Sequence, residues 1–300
     1  MLPPSPSEPE SPSQTRMAII LGHHQPSETI YTSHPNVWSA TLNTNLVAIS
    51  QPTFLPWLGY FSILDEVDDF VFLDDVAFTH RSWQQRNRVR GPQGLQWITI
   101  PVKTANRRDQ LIQDAEIDTE FGFPEKQLTT LRHLYGKSDN WTAVGDLVSK
   151  AMTDATAHKS LSKMNCDLVT GIAQWLGIET RFHLASELDS QAGRSEKLAS
   201  IVEGFGGKTY LSTPGSVDYL LEEKESFERQ SIRVEIHQYE HPVYEQRFEP
   251  FISYASVVDL IFSPETDPLK IIRSGRKKPI GISSWDATKA QSGPMEGARD

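Results

Sequence analysis

The chain has 300 residues, of which 38% are hydrophobic, and this is enough apolar material for one large domain or for a domain with a smaller appendage. Its single cysteine, Cys166, excludes an intramolecular disulfide and a thiolate metal cluster. The formal net charge of −10 argues against a nucleic-acid partner, because duplex binding depends on clustered Lys and Arg side chains.

Two features of the chain bear on membranes and on the N-terminus. No run approaches the roughly 20 apolar residues that span a bilayer, and no signal-peptide pattern is present, so we expect no membrane span and a cytoplasmic location. Residues 1 to 45 are rich in Ser, Pro, Thr and Asn, and such a composition predicts a disordered tail. His23 and His24 in this tail lack the further spaced ligands of a metal site.

The stretch after the tail predicts a strand, a loop, a helix and a second strand. The apolar run 47–49 ends at Ser50-Gln51-Pro52, where proline favours a turn. Residues 57–66 place apolar side chains on one helical face, and residues 70–73 are aromatic and β-branched. Strands joined in this way most often lie parallel, and ligands gather at their carboxyl ends.

The remaining pattern predicts more strands separated by helices. Residues 97–102 predict a third strand, at an edge because of Pro101. A helical insert is predicted around 125–176, with Gly177 as its cap. Strands at 179–184, 209–211 and 232–236 then alternate with helices at 217–221 and 257–262 and with one that Ser195 would cap. We therefore predict an α/β domain from 46 to 273 with a largely parallel sheet flanked by helices, and a flexible C-terminal tail from 274 to 300.

Four loops that follow predicted strands carry the unusual polar residues. They are Ser50 to Trp57, Asp74 to Arg88, Ser212 to Ser216 and Gln238 to Tyr244. Loops at the carboxyl ends of strands commonly build the site in this architecture. We therefore expect one cleft, with Gln51 and Trp57 in its first loop.

The pair Asp74-Asp75 offers oxygen ligands for Mg²⁺ or for a ribose hydroxyl. Adjacent side chains of a strand point to opposite sides, so one aspartate is expected to be functional and the other to cap a turn. Mg²⁺ is the only cofactor that this pattern suggests, and no complete set of metal ligands is assigned.

Two further loops suggest an anion site. Arg86-Asn87-Arg88, preceded by Trp83, offers two guanidinium groups for a phosphate or carboxylate and an aromatic side chain for a ring, although a solvated basic loop is the alternative. The Ser212 loop offers hydroxyl and backbone N–H groups at a helix N-terminus, or is only a capping turn.

His241, followed by Pro242 and Tyr244, is the best candidate acid or base, because histidine titrates near neutrality. A lone histidine is more often structural, and no Ser or Cys nucleophile with an elbow motif completes a triad. Cys166 lies off the apolar stripe of its helix and is expected to be a small, partly buried side chain.

Several motifs in order resemble the WbqC-like protein family. They cover about residues 46 to 262 and read QPTFLPWLGYF, FVFLDDVAFTHRSWQQRNRVR, WITIPV, TYLSTPGSVDYL and VEIHQYEHPVYEQ. The resemblance implies a context of O-antigen or other surface-polysaccharide biosynthesis, because members are often encoded in such gene clusters. It implies no particular reaction.

The chain departs from the family pattern at three places. Many members carry a histidine where this chain has Ser50, a glutamine where it has Ala77, and a Lys-His pair where it has Lys126-Gln127. If either missing histidine is the family's general base, this chain is altered or inactive.

The leading hypothesis is a group-transfer enzyme that moves an acyl or aminoacyl group to an amino sugar or a nucleotide-activated sugar. His241 and Asp75 are its candidate catalytic residues, and its substrate is a phosphorylated small molecule or a nucleotide sugar. The candidate binding residues are Gln51, Trp57, Asp74, Trp83, Arg86, Asn87, Arg88, Ser212 and Tyr244. A nucleotidylyltransferase-like enzyme and a non-catalytic scaffold of a biosynthetic complex are the alternatives.

Overall fold

The computed structural model describes residues 45–188, 193–264 and 267–285. The strands are β1 (Asn45–Ser50), β2 (Asp69–Phe72), β3 (Arg86–Gly91), β4 (Gly94–Thr99), β5 (Arg181–Leu184), β6 (Gly207–Ser212), β7 (Arg233–Tyr239) and β8 (Arg276–Gly281). The α-helices are α1 (Leu58–Leu64), α2 (Glu125–Tyr135), α3 (Asp146–His158), α4 (Leu161–Leu176), α5 (Arg194–Gly204), α6 (Val217–Glu222), α7 (Glu225–Glu228), α8 (Val257–Ile261) and α9 (Pro268–Ser274). The predicted N-terminal tail lies outside the described residues, apart from Asn45.

Six strands form one sheet in the order β5-β2-β1-β6-β7-β8. All neighbours are parallel except β7 and β8, which are antiparallel. The chain leaves β1 toward β2 on one side and leaves β6 toward β7 on the other, so the sheet has a topological switch point between β1 and β6. The predicted α/β class with a largely parallel sheet is confirmed.

Helices cover both faces of this sheet because the strands are apolar on both sides. Ala48 and Phe70 pack with α1, α4 and α8 on what we call the first face. Val47 and Val71 pack with α5, α6 and α7 on the second face. Side chains alternate between the two faces along each strand. The position of a polar residue just after a strand therefore decides which set of helices it contacts.

The helical insert is also confirmed, as α2, α3 and α4. The Ser160 hydroxyl accepts a hydrogen bond of 3.1 Å from the Lys163 N–H and caps the start of α4. Gly177 ends α4 with φ +79°, the left-handed conformation that glycine adopts at little cost. Within the described residues, no helix is long and apolar enough to cross a membrane.

The strand predicted at 97–102 belongs to a separate hairpin. β3 and β4 pair antiparallel around the turn 91–94, and Arg86 and Arg88 lie in β3 instead of a loop. The sequence Gly91-Pro92-Gln93-Gly94 carries the turn residues that such a reversal needs. The predicted start of α5 is wrong by two residues, because the N-cap is Gly193 and not Ser195. The Ser195 N–H instead bonds to the Glu223 side chain at 3.2 Å.

The sheet extends beyond the domain boundary predicted at 273. β8 adds an antiparallel edge strand at 276–281. Asp65, at the end of α1, binds this strand through Arg276, whose Nη2 atom lies 2.6 Å from one Asp65 oxygen. Arg273 of α9 donates two hydrogen bonds of 2.7 Å to the same carboxylate. A buried carboxylate thus joins α1, α9 and β8, whereas residues 286–300 lie outside the described residues.

We predict that Asp65→Asn lowers the free energy of unfolding by about 1–3 kcal/mol at neutral pH, because Arg273 and Arg276 lose their charge-assisted bonds to this carboxylate and only Arg276 keeps an ion pair, with Glu66 at 3.0 Å. Burial by itself would raise the Asp65 pKa, but the bonds from Arg273 and Arg276 outweigh it and hold the pKa below its ordinary value. The stabilisation is therefore present above about pH 4 and is lost as the pH falls through the lower folded-state pKa. Urea unfolding across this pH range, with the exposed Asp109→Asn as control, checks both the size and the pH trend.

Candidate functional site

The first loop of the candidate site leaves β1 at the switch point and is held by the β3–β4 hairpin. Asn87 is 4% exposed, and its amide donates to the carbonyl oxygens of Phe54 at 3.1 Å and Leu55 at 2.9 Å. Leu55 has φ +41°, a conformation that a non-glycine residue adopts only when its surroundings hold it. Asn87 therefore positions this loop, and its own amide group is used up by backbone contacts.

Gln51 opens the same loop and is fixed by a second side chain. Gln84 Nε2 donates to Gln51 Oε1 at 2.9 Å, while Gln84 Oε1 accepts from the Thr79 N–H at 2.9 Å. Asn165 of α4 donates to the carbonyl oxygens of Gln84 and Pro52. The loop, the chain before β3 and α4 are thus tied together next to the end of β1.

Asp74 and Asp75 point to opposite faces of the sheet, as expected for adjacent residues that continue a strand. On the first face, the Asp74 carboxylate accepts from the N–H of Ser186 at 3.0 Å and from its hydroxyl at 2.8 Å. On the second face, Asp75 forms an ion pair with Lys197 of α5. The two carboxylates therefore do not converge on one Mg²⁺ ion.

The electrostatic environment of Asp74 differs from that of Asp75. Asp74 is 2% exposed, and burial raises its carboxyl pKa above the ordinary value, with a further contribution from the charge of Asp75. The bonds from Ser186 offset only part of this rise. A cavity of about 280 Å³ lies beside Asp74, between the end of β5 and the start of α4. A carboxyl group in such surroundings is suited to proton transfer.

Arg86 and Arg88 form a layered cluster with two tryptophans on the outer side of the hairpin. Arg86 lies 4.1 Å from the centre of the Trp97 ring, and Arg88 lies 5.5 Å from Trp83 and 5.6 Å from Trp97. The Nε atoms of both arginines are covered and have no hydrogen-bond partner. Burial lowers the pKa of Arg88, which is the effect of a desolvated charge without an anion.

His241 follows β7 on the first face and lies among aromatic rings. Its ring stacks on Trp57 with centroids 6.3 Å apart and lies 4.9 Å from Tyr254. The Nδ1 atom lies 2.9 Å from the Pro242 carbonyl, so Nδ1 carries the proton and the lone pair lies on Nε2, which is covered and has no partner. Burial lowers the His241 pKa, which favours the neutral ring. Gly59 makes room for Trp57, because a Cβ atom there would collide with the indole ring.

Ser212 and Tyr244 are both buried. Ser212 is 1% exposed and donates to the Tyr210 hydroxyl at 3.3 Å, on the second face. The Tyr244 hydroxyl donates to Asp259 at 2.8 Å, and Tyr135 and Gln246 donate to the same carboxylate. Their side-chain partners are therefore groups of the protein itself.

Two buried groups contain a possible nucleophile, but neither is suited to nucleophilic attack. Ser62 Oγ and Glu66 Oε1 both contact His237 Nε2, at 3.0 and 3.1 Å, whereas a triad uses the two ring nitrogens separately. Burial raises the pKa of the Cys166 thiol well above its ordinary value, which disfavours the thiolate. No group of three or more potential metal-ligating His, Cys, Asp and Glu side chains occurs in the part of the chain that the structure describes.

The candidates therefore divide between the two faces of the sheet. Asp74 and His241 lie on the first face, and Asp75 and Ser212 on the second. Sequence reasoning missed Trp97, Gln84, Ser186 and Lys197. The turn 91–94 would have placed Trp97 opposite Arg88, but Ser186 and Lys197 are 112 and 122 positions from their aspartate partners and carry no local signal.

The positions that depart from the family pattern lie close to these candidates. Ser50 ends β1 beside Phe72 of β2. Gln127 of α2 donates to the Thr99 carbonyl of the hairpin at 2.8 Å, and its own Oε1 is covered without a partner. Ala77 forms an isolated bridge with Leu111. Gln127 thus has a structural contact at the position where the resemblance implies a histidine.

We predict that Asn87→Ala lowers the free energy of unfolding by about 1–3 kcal/mol, because two buried carbonyl groups lose their donor. Chemical denaturation measures the change, and Gln96→Ala on the exposed side of the neighbouring strand is the control. An Asn87 side chain that served only to touch a substrate would leave stability unchanged, and that result would contradict this assignment.

Comparisons with known proteins agree with the motifs. The family model of the WbqC-like protein family matches residues 51–271. A curated relative, "Uncharacterized protein Rv1507c" of Mycobacterium tuberculosis (strain ATCC 25618 / H37Rv), is 32% identical over 218 residues, which cover 72% of this chain and 93% of the relative. No solved structure matches the chain. The matched range contains every candidate residue from Gln51 to Tyr244, and the chain belongs to the WbqC-like protein family.

Proposed function

We propose that this protein is a group-transfer enzyme that acts on a phosphorylated or nucleotide-activated sugar in surface-polysaccharide, O-antigen or related glycan biosynthesis. The transferred group is an acyl or aminoacyl group. The context is the one that the family resemblance implies, and the charges at the candidate site support a charged substrate.

The observation that carries the proposal is the lack of an anionic partner at Arg86 and Arg88. The ion pairs of the described residues use Arg107, Arg181, Arg229, Arg273 and Arg276, and neither Arg86 nor Arg88 is among them. A guanidinium that stacks on an indole through its flat face keeps its N–H edge for an anion. Two such edges next to each other suit a phosphate or diphosphate group.

Proton transfer in this proposal belongs to the first face. Transfer to a sugar hydroxyl or amino group requires a protein group that takes up a proton. We assign this role to Asp74, because burial raises its pKa and it borders a cavity, whereas the lone pair of the neutral His241 ring lies on a covered atom. Asp75 is less suited, because Lys197 already neutralises its carboxylate.

A non-catalytic binding protein is the second candidate. The covered Nε2 atom of His241 and the buried thiol of Cys166 favour it, because neither atom is exposed to a ligand. Such a protein would bind the same phosphorylated compound at Arg86 and Arg88 and would not convert it. Product analysis with a nucleotide sugar and an activated acyl donor separates the two candidates.

We predict that the double substitution Arg86→Ala and Arg88→Ala weakens binding of uridine diphosphate about 100-fold, because two charge-assisted hydrogen bonds are lost. Isothermal titration calorimetry measures the affinity. Uridine without phosphate should bind weakly and equally to both forms of the protein.

The matched control is Arg247→Ala, which removes another arginine that stacks on an aromatic ring, Phe248. It should leave the affinity for uridine diphosphate unchanged. Unchanged binding in the double variant, with a folded protein by circular dichroism, would refute the proposed phosphate site.

A further inference from the structure

We propose that the cavity beside Asp74 binds the ammonium group of a small amine-bearing ligand, with the Asp74 carboxylate as its counter-ion. The inference rests on the proposed function in one respect: this amine is the acceptor of the transferred group. The Asp74 carboxylate takes a proton from the ammonium group, and the free amine forms a bond to the acyl carbon of the activated donor. The bond from that carbon to the donor's leaving group breaks, and the leaving group departs with the bonding electrons and the second amine proton. The cavity and the arginine cluster are then two subsites for opposite charges.

The first argument is the balance of charge around buried and partly buried carboxylates. Asp65 pairs with two arginines, Asp69 pairs with Arg181, and Asp75 pairs with Lys197. Within the described residues, the bonds to the Asp74 carboxylate come from neutral groups, the N–H and hydroxyl of Ser186 and the N–H of Asp74 itself, and no ion pair includes it. A buried charge without a counter-ion is costly, and a cationic ligand removes that cost.

Asp259, like Asp74, is a buried carboxylate outside any ion pair of the described residues, but the groups around it differ. Three donors, from Tyr135, Tyr244 and Gln246, occupy its oxygens at 2.8 to 2.9 Å, and the charge of Arg90 acts on it. Asp259 is therefore satisfied by the fold. Asp74 also has hydrogen-bond donors, but it borders an open cavity and no ion pair of the described residues includes it, so its carboxylate can receive a ligand.

The second argument is the lining of the cavity. It has a volume of about 280 Å³, which suits a ligand smaller than a drug-sized molecule. Its lining residues are Asp74, Gln113, Ser160, Ser162, Lys163, Leu184 and Glu187. Glu187 adds a second, exposed carboxylate, and the charge of Lys163 is matched by Asp167 at 3.0 Å. Amide and hydroxyl groups supply the polar contacts that a sugar ring uses.

The N-terminus of α4 also borders the cavity and by itself would favour an anion. A helix end carries about half a positive charge, and the Ser160 hydroxyl already caps one of its N–H groups. The full negative charge of Asp74, together with Glu187, outweighs this partial charge. The net preference of the cavity is therefore for a cation.

The test compares glucosamine with glucose on the full-length chain by isothermal titration calorimetry at about pH 6.5, where an amine is protonated. We expect glucosamine to bind at least tenfold more tightly than glucose. Equal binding of the two sugars, or no binding of glucosamine, overturns the proposal without the need for any variant.

The matched variants are Asp74→Asn and Asp75→Asn, which change adjacent carboxylates on opposite faces of the sheet. Asp74→Asn should lower the affinity for glucosamine at least tenfold, and Asp75→Asn should leave it unchanged. The reverse order overturns the assignment. If Asp74→Asn does not fold, Glu187→Gln at an exposed position should still weaken binding severalfold, and an unchanged affinity there would count against the site.

The two proposals can fail separately. Glucosamine carries no phosphate, so the Arg86→Ala and Arg88→Ala protein should bind it like the native chain. Uridine diphosphate carries no amine, so Asp74→Asn should bind it normally. Loss of one binding activity with retention of the other identifies which subsite is wrong.

Discussion

Alternation of side chains along strands that are buried on both faces is the constraint on which this structure depends. It sends Val47 and Ala48 to different helical layers, and it does the same with Asp74 and Asp75. A shift of one residue in the register of β2 would exchange the environments of the two aspartates as well as the core residues. The chemistry at the strand ends is therefore fixed by the same packing that fixes the core.

The candidate subsites contain charged groups that no ion pair of the described residues neutralises. Buried carboxylates elsewhere in the described residues hold β8, α9, β2 and β5 together through arginine and histidine. Arg86, Arg88 and Asp74 are desolvated without such partners, which costs folding free energy. A ligand group of opposite charge would restore the balance at each of the two proposed subsites.

Rigid support surrounds the first loop. Asn87 fixes the carbonyl groups of Phe54 and Leu55, Gln84 fixes Gln51, and Gly59 allows Trp57 to lie against His241. Asn87 was a candidate for substrate contact in the sequence, yet its amide is consumed by the backbone. Residues near a site are thus of two kinds: some hold its shape through bonds to the backbone, and others keep polar groups available for a ligand.

The sequence by itself determined the α/β class, the helical insert with its Gly177 cap, the family and most of the polar candidates, because these depend on local periodicity, turn residues and contiguous motifs. The edge strand β8 and the partners Ser186 and Lys197 were decided only by the tertiary structure. Their contacts join residues far apart in the chain, and no local pattern encodes which distant group meets a given side chain. The same physical reason explains why the sequence offered Asp74 and Asp75 as a pair, whereas the fold gives one a cationic partner and leaves the other beside a cavity.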